Sequence, residues 1–411
     1  MNKKHILMLA DGRSPTTQSW IRSLLVLEYR VSLISSFPCQ KLDGLENFYV
    51  LPLAFSHLTS GDNNISLDGS TRSGIRTSLK KALRHFAAPL QGLRYVMGPL
   101  SVHLQANKFN QYLAQVQPDL VHALRIPFEG MLGRFTPKNI PFVVSTWGND
   151  FTLHAEGSCF MQRSTRACLR RADALIADAQ RDIQLAYHWG LPRGKPTLHV
   201  PGSSGLDLDT ILDPNLPDFD AKKWSLPEEK LWAVNARGFR PGYVHNDVFF
   251  AAIPLVLQKY PQVAFICPGL YGVQEEKWLA QEDIRQSIFL LPKLSQTELW
   301  ALFKRCALFI SPASHDGTPN SLLEALACGC FPIAGNIDSI CEWIEAGHNG
   351  LLVNPTDPQA LADAIIQALN APLLREKARQ YNLNLVQQLA GLDVNLPKIE
   401  QFYDSLLARH N

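Results

Sequence analysis

The chain has 411 residues, 46% of them hydrophobic and 18% charged, and a formal net charge of only +2. That composition excludes wholesale disorder and a fibrous repeat, and the length asks for more than one hydrophobic core. The weak net charge argues against general nucleic-acid binding, which needs a concentrated basic surface.

The amino terminus, MNKKHILMLADGR, carries a short apolar run that ends at Asp11, and it reads as a first strand rather than a secretory core. No stretch approaches the ~20 apolar residues of a spanning helix, so the expectation is a cytoplasmic protein, at most peripheral at the inner face of a membrane. The eight cysteines form no CxxC and no Cys/His cluster with zinc spacing. Most are expected as buried thiols, including Cys328 and Cys330 on either side of Gly329.

After HILMLA comes a helical pattern over Thr16 to Tyr29 and then RVSLISS, a second strand. Between Asp68 and Asp119 there is no acidic residue. Arg72, Arg76, Lys80 and Arg84 recur there every four residues beside Ile75, Leu79, Leu83 and Phe86, and Pro89 is expected to divide two helices. Two readings stay open for Arg72, Arg76, Lys80, Lys81 and Arg84: contact with an anionic membrane, or the solvated face of a packed helix. Further on, DLVHAL, FVVSTW, ALIAD and TLHVPG alternate with helix-like sequence, a parallel α/β signature. His122 in DLVHAL is expected as a satisfied core histidine.

A second series runs LWAVNAR, VAFICPG, IFLLP, LFISPAS, FPIAG and GLLVNP, and Gly202 to Glu229, rich in Asp, Pro, Gly and Ser, separates the two series. The fold class is therefore α/β, with an amino-terminal domain over 1–204, a linker over 205–228 and a carboxy-terminal domain over 229–390. A last helix over 391–411 is expected to pack back on the first domain. In open parallel sheets ligands bind beyond the carboxyl ends of strands, so the loops there are the places to search.

Residues 309–333 read FISPASHDGTPNSLLEALACGCFPI, which predicts strand, loop, helix, strand. Thr318 suits an N-cap, Pro319 the first helical position and Gly329 the residue past the end. The free N–H groups of that helix start, near Gly317, Asn320 and Ser321, suit a diphosphate. Glu324 lies on the same helix face as Asn320 and Ser321, where a carboxylate can accept hydrogen bonds from vicinal ribose hydroxyls. Asp316, just ahead of the helix, can hold sugar hydroxyls in the same way.

On this segment the chain resembles family 4 of the retaining nucleotide-sugar glycosyltransferases. Their signature, in a context like EGxPxxxxEAxAxG, stands here as Asp316, Gly317 to Leu323, and Glu324, with Asp in place of the usual first Glu. The resemblance implies a GT-B architecture, two Rossmann-like domains with parallel sheets facing a cleft, the first on the acceptor side and the second binding the donor. It implies transfer of a hexosyl group from a nucleotide-sugar to a glycan or lipid-linked acceptor with retention of configuration, and no metal or other cofactor.

The same resemblance names Arg237, after LWAVNA, as a ligand of the donor diphosphate, but the partner Lys expected about five residues on falls near Gly242 and Tyr243. Arg240 is the candidate substitute, with His245 a weaker one. In STWGND, Trp147 stands where relatives have a His, with Gly148 and Asp150 retained. Gly12, after the first strand, is a candidate for backbone approach to a ligand, though an ordinary turn explains it equally. Asp316, Arg237 and Glu324 are thus the expected catalytic set; Gly12, Trp147 and Asp150 are candidate cleft residues. The departures leave two alternatives open: a nucleotide-sugar epimerase of the same architecture, or a catalytically silent partner protein.

Overall fold

The computed structural model describes residues 3–54, 87–280 and 282–410. Arg72, Arg76, Lys80, Lys81 and Arg84 lie outside the described residues. The chain divides into two compact units: unit 1 comprises residues 1–177, 182–199 and 399–411, and unit 2 comprises 178–181 and 200–398.

Unit 1 is built on seven parallel strands: β1 (His5–Ala10), β2 (Arg30–Ser35), β3 (Phe48–Val50), β4 (Leu120–Ala123), β5 (Phe142–Thr146), β6 (Ala174–Ala177) and β7 (Thr197–His199), in the order β3-β2-β1-β4-β5-β6-β7. HILMLA is central and buried along its whole length, as a near-continuous apolar run requires of a strand covered on both faces. Its one polar residue, His5, pairs through Nε2 with Ser32 Oγ at 2.8 Å, while its Nδ1 is buried without a partner. The longer helices around this sheet are α1 (Pro15–Val26), α2 (Ala87–Val116), α3 (Cys159–Arg171) and α4 (Gln180–Trp189).

Unit 2 has six parallel strands: β8 (Leu231–Val234), β9 (Val263–Pro268), β10 (Ile288–Leu291), β11 (Leu308–Ser311), β12 (Phe331–Gly335) and β13 (Leu351–Val353), in the order β10-β9-β8-β11-β12-β13. Its longer helices are α5 (Asn246–Leu257), α6 (Gln296–Arg305), α7 (Asn320–Ala327), α8 (Pro358–Asn370) and α9 (Pro372–Ala390). A final helix, α10 (Leu392–His410), begins among the residues of unit 2 and ends among those of unit 1. In each sheet the strand order reverses once, between β1 and β4 and between β8 and β11.

Some local expectations change and others hold. The strand β3, FYV, is a short edge strand that the sequence reading does not include, and all three of its residues are half-buried. Pro99 lies inside α2, while the residues before Ala87, on which the expected division at Pro89 depends, lie outside the described residues. The stretch expected as a linker is folded onto unit 2: Leu206, Ile211, Ala221 and Leu226 are buried in its core, and Leu206 bridges to Gly391. His122 is wholly buried between Ser145 Oγ at 2.8 Å and Tyr403 Oη at 2.7 Å, and burial pushes its pKa down to about 3. Among the cysteines, all free, Cys159 and Cys341 are exposed and Cys39 is half-buried, while the other five are buried.

Candidate functional site

The reversal between β8 and β11 opens a crevice at the carboxyl ends of these strands, where open α/β sheets bind ligands. Arg237 follows β8 and Asp316 follows β11, so residues 79 positions apart meet there. The Arg237 guanidinium is 7% exposed. It donates from Nη2 to Asp316 Oδ2 and from Nη1 to Ser321 Oγ at 3.1 Å, while Nε has no partner. Burial lowers its pKa and Asp316 opposes that shift. Asn235, at the end of β8, is fully buried; its Oδ1 accepts the Arg237 backbone N–H at 3.2 Å, and its Nδ2 donates to nothing among the described residues. Two buried donors without protein acceptors at one strand end suit the binding of an anion.

The helix start differs by one residue from the sequence expectation. Pro319, not Thr318, is the N-cap, in extended conformation, and α7 begins at Asn320. Thr318 fails as a cap because its hydroxyl is used elsewhere: it donates to the Asp178 carbonyl at 2.5 Å and accepts from Trp343 Nε1 at 3.0 Å, while its N–H reaches Asp178 Oδ2 at 3.2 Å. Leu322 N–H is the first to turn back onto Pro319 O, which leaves the N–H groups of Asn320 and Ser321 ahead of the helical ladder. Gly317 is buried in the same turn, which Ser339 Oγ braces by donating to Asp316 O at 2.7 Å. The Asn320 side chain turns away to Ser203 Oγ. Ser321 stays at the crevice on Arg237.

Glu324, one turn into α7, is half-buried and accepts from Gln296 Nε2 at 3.0 Å. Burial pushes its carboxyl up to about 7 against that hydrogen bond. Arg240 is exposed and close enough to Arg237 to depress its pKa, so it adds positive charge at the crevice. His245 caps α5 with left-handed backbone and is tied through Nε2 to Ser314 Oγ at 2.8 Å, which makes it a brace between two loops.

The three candidate cleft residues are all engaged structurally in unit 1. The N–H of Gly12 donates to Ser35 Oγ at 3.0 Å, and a Cβ there would meet Cys39 Sγ at 2.5 Å. Its backbone is therefore spent on packing. Trp147 donates its indole N–H to the Leu124 carbonyl. Asp150 is 1% exposed; Oδ1 takes Arg125 Nη2 at 2.6 Å and Oδ2 takes the backbone N–H groups of Ile126 at 3.2 Å and Trp147 at 3.3 Å. It locks the loops after β4 and β5 together. A cavity of about 480 Å³ between Leu113, Pro118, Asn139 and Leu407 lies at the opposite edge of this sheet, before β4 and β5, and contains none of the expected site residues.

Sequence reasoning did not single out Asn235, Asp178, Gln296 or Trp343. Asn235 had a signal, as the polar residue ending an apolar strand ahead of Arg237; the others act from distant segments.

Two Rossmann-like parallel sheets, one with an arginine, a loop carboxylate and an open helix start at its strand-order reversal, define the GT-B glycosyltransferase fold class. Residues 219–384 match the family model described as glycosyl transferases group 1, and residues 89–179 match that described as glycosyl transferase 4-like. Residues 219–384 are those of a group 1 glycosyltransferase. It is 25% identical over 287 residues to the serotype-specific mannosyltransferase WbdA of Escherichia coli, an alignment covering 62% of this chain and 33% of that protein. It is 22% identical over 253 residues to the lipopolysaccharide core biosynthesis mannosyltransferase LpcC of Rhizobium leguminosarum bv. viciae, covering 59% and 67%. The chain thus spans about a third of the length of the first of these relatives. The crystal structure of Anabaena Alr3699/HepE in complex with UDP superposes with a TM-score of 0.70 at 15% identity, over 98% of this chain and 100% of that one.

Proposed function

We propose that the protein transfers a hexosyl group from a nucleotide-sugar to a glycan or lipid-linked acceptor, with retention of configuration and without a metal. The observation that carries this reading is the pair of buried donors lacking acceptors, Arg237 Nε and Asn235 Nδ2, beside the open start of α7. A diphosphate placed there satisfies them all and has its developing charge stabilised as it leaves. The bond from the sugar C1 to the phosphate oxygen breaks, the acceptor oxygen bonds to C1 on the same face, and the departing phosphate takes the acceptor's proton. Arg237, Arg240, Asn320 and Ser321 hold the phosphates, Glu324 the ribose and Asp316 the sugar. The names of the mannosyltransferase relatives favour a glycan-building role. Incubation with GDP-mannose, UDP-glucose and related donors tests it: a transferred sugar is the expected product, whereas an isomerised donor or no turnover with any donor would overturn it. Peripheral attachment through residues 72–84 is proposed on sequence alone, and salt-sensitive flotation with anionic liposomes is its test.

Two predictions follow the division of labour between the carboxylates. Glu324 must be ionised to accept two ribose hydroxyls. Below about pH 7 the folded chain keeps a proton that an unfolded chain releases near 4.5. The stabilising contribution of that proton is therefore present at low pH and lost as pH rises through about 7, the window in which the binding-competent carboxylate accumulates. Affinity for the bare nucleoside should rise up to about tenfold from about pH 6 to about pH 8. Glu324→Gln should bind about tenfold or more weakly at the upper pH and show no such rise, and a wild-type-like profile in that variant would reject the ribose assignment. Asp316→Asn should lower kcat by about 10- to 100-fold while nucleotide affinity, measured by calorimetry, stays within about threefold.

A further inference from the structure

The reversal of strand order in unit 1, between β1 and β4, presents a second cluster of charge that the donor site does not use. Arg94 in α2 is half-buried, its Nε buried without a hydrogen-bond partner, and it enters no ion pair among the described residues. Its charged neighbours are Glu129 and Arg125. Arg125 is a like charge, and Glu129 offsets it only by a longer-range attraction, with no ion pair between Glu129 and Arg94 among the described residues. The fork of Arg125 is taken by Asp150 Oδ1 at 2.6 Å and Asn149 Oδ1 at 3.0 Å. Glu129, 5% exposed, accepts from Ser36 Oγ, and burial raises its pKa, which weakens it as a balancing charge. A half-buried guanidinium left in this state is costly unless something outside the fold neutralises it.

The backbone supports the same reading independently. Phe128 follows Pro127 with φ +70° and ψ −54°, the strained geometry of a γ-turn, which costs a bulky residue about 1–3 kcal/mol. That turn sets its ring 4.9 Å from the Arg94 guanidinium centre. Gly98, one turn along α2, leaves the room: a Cβ there would overlap the Phe128 ring. The strain therefore keeps a guanidinium stacked and pre-aligned at a sheet's ligand-binding edge, an arrangement suited to bidentate recognition of an oxyanion.

We propose that Arg94, stacked on Phe128 and flanked by Arg125, is the anchor of an anion-binding site in unit 1 that takes a phosphate or carboxylate group of the acceptor. That the anion belongs to an acceptor rests on the glycosyltransferase reading; the site itself does not. The experiment therefore reads binding and not turnover. Inorganic phosphate and acetate are titrated calorimetrically into the chain carrying Arg237→Ala, which silences the donor site. At least one of the two should bind, with Kd raised about tenfold or more by adding Arg94→Gln and only partly recovered by Arg94→Lys, which keeps the charge but not the fork, with thermal unfolding confirming that each variant is folded. In the otherwise wild-type background the same substitution should remove one phosphate or acetate site per chain, so the reading survives an Arg237→Ala chain that does not fold. No binding of either anion, or equal binding in Arg94→Gln, overturns the proposal whatever the outcome of the sugar-transfer assays.

Discussion

Replacing Arg237 with alanine is expected to lower kcat/KM by about 10²- to 10³-fold, the usual cost of losing one preorganised donor to a developing oxyanion. The reason is positional. Arg237 is anchored at both terminal nitrogens, by Asp316 and by Ser321 at 3.1 Å, which fixes the plane of the guanidinium and leaves Nε as its buried, unused donor. A diphosphate has to approach a group already oriented, so little ordering is paid at binding. Nucleoside diphosphate affinity should therefore fall far more than affinity for the bare nucleoside, as calorimetry on the two ligands would read. Equal losses would assign Arg237 to holding Asp316 and the loop before α7, with no part in binding phosphate.

Asp150→Ala is expected to cost about 3 kcal/mol of stability, because it leaves Arg125 and two loop N–H groups without their shared acceptor. For a unit of this size that is a fall in Tm of roughly 6–12 °C. Asp150→Asn should recover part of the loss, since an amide oxygen still accepts but carries no charge. If Tm holds in Asp150→Ala while turnover collapses, the carboxylate touches substrate and its bond to Arg125 is incidental.

These residues also show where a sequence is readable. Twelve of the thirteen strands are read from apolar runs, as strands covered on both faces require; β3 is not, although Phe48, Tyr49 and Val50 are apolar, because three residues ahead of Pro52 are too short a run to show a period. The start of α7 was legible to within one residue, yet the displaced cap was not, because it depends on Asp178, 140 positions away, and on Trp343. Asp150 likewise carries a recognisable spacing, while its partner Arg125 sits 25 residues earlier with nothing local to mark it. Periodicity reports which face is covered. It is silent on which distant side chain satisfies a given polar atom.

The path of α10 sets an order on synthesis. Unit 1 receives Tyr403, whose hydroxyl meets His122 Nδ1 at 2.7 Å, and Leu406 and Leu407 from a segment made after the whole of unit 2. A ribosome therefore releases the complete six-stranded sheet while the seven-stranded one, begun first, still has an open seam beside Trp20 and His122. Until residues 399–411 arrive, that seam is exposed apolar surface on a nascent chain, the kind of surface chaperones hold. Truncation before Ile399 would leave it permanently open.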